Sequence, residues 1–152
     1  MYGKLKESYW KDSILEYTKR LSKYAKITII EVPDEKNPDK PNFKLEQEIK
    51  EKEGFSIIKQ IKKDSYVIAL DLKGKSYSSE EFSKKIEDIS LYNSHITFII
   101  GGSLGLSNDV ILKSNESICF SKMTFPHQLM RVILLEQIYR AFKIANNEIY
   151  HK

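Results

Sequence analysis

A chain of 152 residues is long enough for one packed core and short of what two independently folding domains need, so residues 1–152 are expected to form a single domain. Hydrophobic residues at 41% and charged residues at 30% exclude a disordered polymer, and a net charge of +4 with a pI near 9.0 favours a polyanionic partner without requiring one. Cys119 is the sole cysteine, which excludes an internal disulfide or a multi-cysteine metal site and fits a reducing cytoplasm. The opening Met1-Tyr2-Gly3-Lys4-Leu5-Lys6 lacks a signal-peptide apolar stretch, and no apolar run approaches the roughly 20 residues that span a bilayer, so neither secretion nor membrane insertion is expected.

From Tyr9 to Ala25, Trp10, Ile14, Leu15, Tyr17, Leu21 and Tyr24 recur at three- and four-residue steps, which predicts an amphipathic helix. Ile27 to Val32 is β-branched and of strand length, and it ends at Pro33 in a polar stretch, Asp34 to Pro41, that reads as a flexible loop. Leu45 to Lys63 is a charged helical segment with an expected interruption near Gly54. Tyr66 to Leu70 and Ile96 to Ile100 show almost no polar alternation, as strands do when helices cover both faces of a parallel sheet. Between them, Ser79 to Tyr92 predicts a helix capped by Ser78 or Ser79, with Glu80 and Glu81 at its positive end. Asn108 to Lys113 predicts a short helix, Ile118 to Ser121 a short strand, and His127 to Asn146 the longest helix. That last helix is apolar nearly all round from Leu129 to Leu135, which implies burial on more than one side, by a second subunit or by a central position. The alternation of strands and helices gives an α/β fold without internal repeats.

Three segments directly follow strands: Asp71-Leu72-Lys73-Gly74-Lys75, Gly101-Gly102-Ser103-Leu104-Gly105, and Lys122 to His127. In a parallel sheet all three leave carboxyl ends, the edge where open α/β folds bind ligands, so they are expected to line one cleft. The glycines permit close backbone approach, or simply a tight turn. Their spacing matches neither the dinucleotide fingerprint nor the nucleotide P-loop. Asp71 at a strand end suggests a phosphoacceptor, but the acidic magnesium ligands such chemistry needs are missing from the first residues of the chain. His95, His127 and His151 lack the paired spacing of a zinc site, so no metal is expected. His127, after Pro126, falls in the first turn of the last helix as an anion-facing or a capping residue, while Tyr150 and His151 lie in a polar tail where disorder is the default. The basic groups Lys19-Arg20-Lys23-Lys26 and Lys62-Lys63, with Tyr17 and Tyr24 nearby, read as RNA contacts or as solvated helix faces.

Taken together, Ile68-Ala69-Leu70-Asp71 with Gly74-Lys75, Phe98-Ile99-Ile100-Gly101-Gly102 with Gly105-Leu106, Phe120 to Leu129 with Arg131-Val132, Leu135-Glu136-Gln137 with Tyr139-Arg140-Ala141, and the ending Tyr150-His151 closely resemble the ribosomal large subunit methyltransferase H family. The resemblance implies a SPOUT fold, a mostly parallel sheet flanked by helices with a C-terminal trefoil knot, an exception to the rule against knots. It also implies a homodimer that uses S-adenosylmethionine to methylate N3 of a pseudouridine in large-subunit (23S) ribosomal RNA on the assembled ribosome. Carried onto this chain, the cofactor contacts are Leu70, Gly101, Gly102, Phe120, Ser121, Lys122, Met123, Thr124 and Phe125. His127, Arg131, Tyr150 and His151 are the expected substrate-handling residues; Arg131 suits a phosphate or a structural ion pair. One departure stands out: the family pattern has a short apolar strand before the Gly-Lys segment, and here only Met1 and Tyr2 precede Gly3, so that strand is expected to be largely absent. Two other functions share these features: the same fold acting on another RNA or on a protein, and a ribosome-binding assembly factor without turnover.

Overall fold

The run Val67-Ile68-Ala69 lies at the centre of a three-stranded parallel sheet. The computed structural model describes residues 2–150, and for residues 2–7 the backbone alone. In chain order the elements are α1 (Tyr2–Leu21), α2 (Phe43–Gln60), β1 (Tyr66–Ser76), α3 (Ser79–Ser90), β2 (Ile96–Ile100), α4 (Asn108–Lys113), β3 (Glu116–Cys119) and α5 (His127–Ala145). The strand order is β2-β1-β3. Tyr66 to Leu70 pair with Ile96 to Ile100, and Ile68 to Leu70 pair with Glu116 to Ile118, all in parallel. Val67, Ile68 and Ala69 are 3%, 0% and 0% exposed, which explains the missing alternation, since neither face of this part of the strand meets water.

The chain divides into two compact units. One, residues 30–77 and 89–124, holds α2, the sheet and α4. Its core packs Val67, Ile99 and Val110 with Ile57, Ile58, Ile61 and Leu106, so α2 and α4 share one sheet face. Asn42 and Ser107 cap these two helices, each side chain accepting a backbone N–H of the first turn. Gly54 does not interrupt α2. It is buried mid-helix, and a β-carbon there would collide with Ser107 Oγ, so the glycine permits close approach of α2 to the start of α4.

The other unit, residues 1–29, 78–88 and 125–152, takes α1, most of α3 and α5. Ser78 caps α3 by accepting the Glu81 N–H at 3.1 Å. Ser83 Oγ donates to the Ala141 carbonyl at 2.6 Å, joining α3 to α5, and Leu21, Phe82, Leu134, Leu135, Ile138 and Ala141 are buried. Leu129, Met130, Val132 and Ile133 on α5 are half-buried in the single chain.

Several expected boundaries shift. Ile27 to Val32 forms no strand: among the described residues no strand pairs with it, and a ladder, not β-branched composition, makes a strand. Asp71 to Lys75 is not a loop but a bulge inside β1, whose pairing with β3 jumps from Leu70↔Ile118 to Lys75↔Ile118. Gly74 lies so close to β3 that a β-carbon would stand 2.6 Å from the Ile118 backbone. The third strand runs Glu116–Cys119 and ends before Ser121, α3 ends at Ser90, and α1 already begins at Tyr2. No described helix is long and apolar enough to cross a membrane.

Candidate active site

Leu70 stands at the centre of the candidate edge. It pairs with Ile100 on one side and Ile118 on the other, so the chain leaving β2 at Gly101 and the chain leaving β3 at Phe120 emerge on either side of the central strand, at the same sheet edge. Leu70, Gly101 and Phe120 therefore stand at the same carboxyl edge of the sheet, Gly101 and Phe120 each directly after its strand. In place of the third loop, the β1 bulge returns along β3.

After β2 the chain closes a tight turn in which the Gly105 N–H donates to the Gly102 carbonyl at 3.1 Å. Gly105 has φ +82°, a left-handed conformation that glycine adopts without strain. Gly101 also needs its missing side chain, since a β-carbon would stand 2.9 Å from the Gly105 backbone. Gly102 is different: the same atom would have only the Asp34 and Glu53 carboxylates nearby, each at 3.5 Å. The turn is therefore open at Gly102. After β3, Cys119 Sγ donates to the Ser121 carbonyl at 3.0 Å and Ser121 Oγ accepts the Met123 N–H at 3.0 Å, which shapes the segment locally and leaves Met123 75% exposed.

The polar loop after Pro33 contributes what its composition did not reveal. Its Glu35 N–H donates to Glu53 Oε1 at 3.1 Å, and Asn37 Nδ2 donates to Ser103 Oγ at 2.8 Å, tying the loop to α2 and to the glycine turn. Burial first, then the negative charges of Asp34 and Glu35, push the Glu53 carboxyl above its ordinary range, while the Glu35 N–H works against the rise. Nothing in the spacing of Asp34 and Glu53 announces that both face Gly102.

Phe125, His127, Arg131 and Tyr150 belong to the unit containing α5. His127 is the first residue of α5, with Pro126 at the N-cap and no side-chain cap; it and Arg131 are half-buried. Tyr150 is not loose in a polar tail but packed against α5, and His151 lies outside the described residues. Lys19, Arg20, Lys23 and Lys26 are exposed, as are Lys62 and Lys63. The nearby rings already have partners: Tyr24 stacks on Phe142 at 5.4 Å, and Tyr17 meets Tyr139 edge-on at 6.5 Å. Among the described residues no group of three or more His, Cys, Asp or Glu side chains is placed to hold a metal ion.

The amino-acid sequence matches known proteins. Residues 1–151 match the family described as predicted SPOUT methyltransferase. The chain is 60% identical to the ribosomal RNA large subunit methyltransferase H of Clostridium acetobutylicum, over 99% of this chain and 95% of that protein. Proteins of the same name from Clostridium perfringens and Clostridium botulinum are 61% and 63% identical over the same shares of each chain.

Proposed function

The chain belongs to the SPOUT methyltransferase family, and from that premise we propose that it transfers a methyl group from S-adenosylmethionine to large-subunit ribosomal RNA, at N3 of a pseudouridine. The observation that carries the site is Leu70 flanked by the glycine turn and the Phe120 segment at one carboxyl edge. Leu70, Gly101, Gly102, Phe120, Ser121, Lys122, Met123, Thr124 and Phe125 hold the methyl donor in this reading. The residues suit it: Gly102 leaves its backbone uncovered, exposed Met123 offers apolar surface to a base, and Asp34 and Glu53 suit the cationic and hydroxyl groups of such a molecule. The donor supplies a methyl group on a positively charged sulfur.

The chain's own tasks are to align the base nitrogen in line with that methyl, to exclude water and to assist loss of the N3 proton. His127 at the positive end of α5, Arg131 one turn later, and Tyr150 and His151 in the tail are the substrate-handling residues of this reading. The net charge of +4 supports a polyanionic substrate. We read residues 1–152 as one domain with the knotted C-terminal topology of the family, acting in the cytoplasm as a homodimer. Support for the dimer comes from α5, where Leu129, Met130, Val132 and Ile133 remain half-buried in the single chain.

The test is to incubate the protein with labelled S-adenosylmethionine and either ribosomes or naked ribosomal RNA lacking the modification, then to locate the label by nuclease digestion and mass spectrometry. Methyl incorporation at N3 of one pseudouridine is expected. No incorporation into either substrate, by protein that binds S-adenosylhomocysteine, overturns the proposal.

A further inference from the structure

Residues 147–150 are fastened to α5 more firmly than a surface tail requires. It reverses direction at Asn147, whose φ is +53°, and the Glu148 N–H donates to the Lys143 carbonyl at 2.9 Å. The Glu148 carboxylate then accepts from Tyr24 Oη at 2.6 Å and from Lys143 Nζ at 2.7 Å. Two residues later Tyr150 Oη donates to Glu136, at 3.0 Å from Oε2 and 3.2 Å from Oε1.

Glu136 also accepts from Arg140 one helical turn on, at 2.7 Å from Nη2 and 3.1 Å from Nε. The Arg140 guanidinium lies over the Tyr150 ring, 4.9 Å from its centroid, and Tyr139 meets the same ring edge-on at 5.0 Å. Tyr150 is thus gripped at its hydroxyl by Glu136, on its face by Arg140 and at its edge by Tyr139. The two charged side chains are only 19% and 25% exposed, so this pair is screened less than a surface ion pair. An i,i+4 pair satisfies itself without a tail, and ordering tail residues costs backbone entropy. A carboxylate accepts through two oxygens, whereas an amide has one accepting oxygen and a donating nitrogen.

We propose that Glu136 is a positioning residue for methyl transfer: through its bond to Tyr150, braced by Arg140, it sets where the Tyr150-His151 tail meets the RNA substrate. The inference rests on the reading that this tail handles substrate. Glu136 itself touches neither RNA nor methyl donor in this scheme; it acts through Tyr150.

The test uses the full-length protein with unmodified ribosomes and labelled S-adenosylmethionine, comparing Glu136→Gln, Tyr150→Phe, their double variant and Tyr150→Ala. Each protein is also titrated calorimetrically with S-adenosylhomocysteine and melted thermally. Glu136→Gln and Tyr150→Phe are each expected to lower kcat about tenfold or more, since an ångström of misplacement suffices for that. S-adenosylhomocysteine affinity stays at its wild-type value in both, and the double variant has a kcat no lower than either single one, because both break the same link. Wild-type kcat in Glu136→Gln beside an inactive Tyr150→Ala overturns the inference and leaves the tail reading standing. Wild-type kcat in Tyr150→Ala overturns the tail reading and the inference with it. A loss in Glu136→Gln matched by falls in melting temperature and S-adenosylhomocysteine affinity marks a merely structural role and also overturns it.

Discussion

Replacing Gly102 by alanine separates ligand binding from folding in a way its neighbour cannot. The added β-carbon would stand 3.5 Å from Asp34 Oδ1 and Glu53 Oε2, ordinary van der Waals contact with the ends of flexible side chains. Gly102 is not among the positive-φ glycines, so alanine meets no backbone penalty and restricts the unfolded chain, a gain of about 0.4–1 kcal/mol. At Gly101 the same carbon would stand 2.9 Å from the Gly105 backbone and 3.1 Å from Leu106 Cδ2. The turn must open by a few tenths of an ångström, an overpacking cost of about 1–3 kcal/mol. At about 2–4 °C per kcal/mol for a chain of this size, Gly101→Ala is expected to melt several degrees below wild type and Gly102→Ala at or slightly above it. Calorimetric titration with S-adenosylhomocysteine then reads the site. If the donor lies against the Gly102 backbone, the methyl group occupies its space, and affinity falls by about tenfold or more, equivalent to about 1.4 kcal/mol. Unchanged affinity in Gly102→Ala refutes the placement of the donor. A melting temperature as low as that of Gly101→Ala refutes the contact reasoning itself.

Gly74→Ala is expected to be the most destabilising of the glycine-to-alanine changes in the two strand-end segments, by about 2–3 kcal/mol, because β3 backbone at 2.6 Å must move away. Urea denaturation measures the loss, and faster hydrogen exchange at Cys119, paired with Ser76 beyond the bulge, localises it. Burial, and then the Glu136 carboxylate, raise the Tyr17 phenol from 10.0 to about 12. A raised folded value means the folded state holds the proton more tightly, so this stabilisation is complete below pH 10 and is lost as pH climbs toward about 12. Melting temperatures across that window are expected to fall more steeply for wild type than for Tyr17→Phe; parallel curves would contradict the assignment.

What could be read in advance follows from which interactions are local. β2 and the first half of β1 announced themselves because strands buried on both faces need uninterrupted apolar residues, and α5 because a helix apolar all round has no solvent face. The cap at Ser78 is local chemistry of the same kind. Ile27 to Val32 misled because its residues favour strands only where another strand offers a ladder. Gly54 and Gly74 misled in the same direction: each looks like a break, and each is a place where two backbones or a helix pair come close. At the site, the glycine turn and the Phe120 segment were legible as strand ends. The facing of Asp34 and Glu53 toward Gly102, and the grip of Glu136 on Tyr150, join residues far apart in sequence, and no spacing rule reaches across such gaps.

The all-parallel sheet bears on how this protein is born. Among the described residues no strand has a hairpin partner: Tyr66 must find Ile96, and Ile68 must find Glu116, each across a helix-bearing connection. Such non-local pairings close late and slow folding. During synthesis the central strand leaves the ribosome with neither neighbour available, and the second ladder waits until the chain has been translated beyond Cys119. A nascent chain interrupted before that point has no intact carboxyl edge, so under the proposed placement of the methyl donor a truncated product could not sequester it.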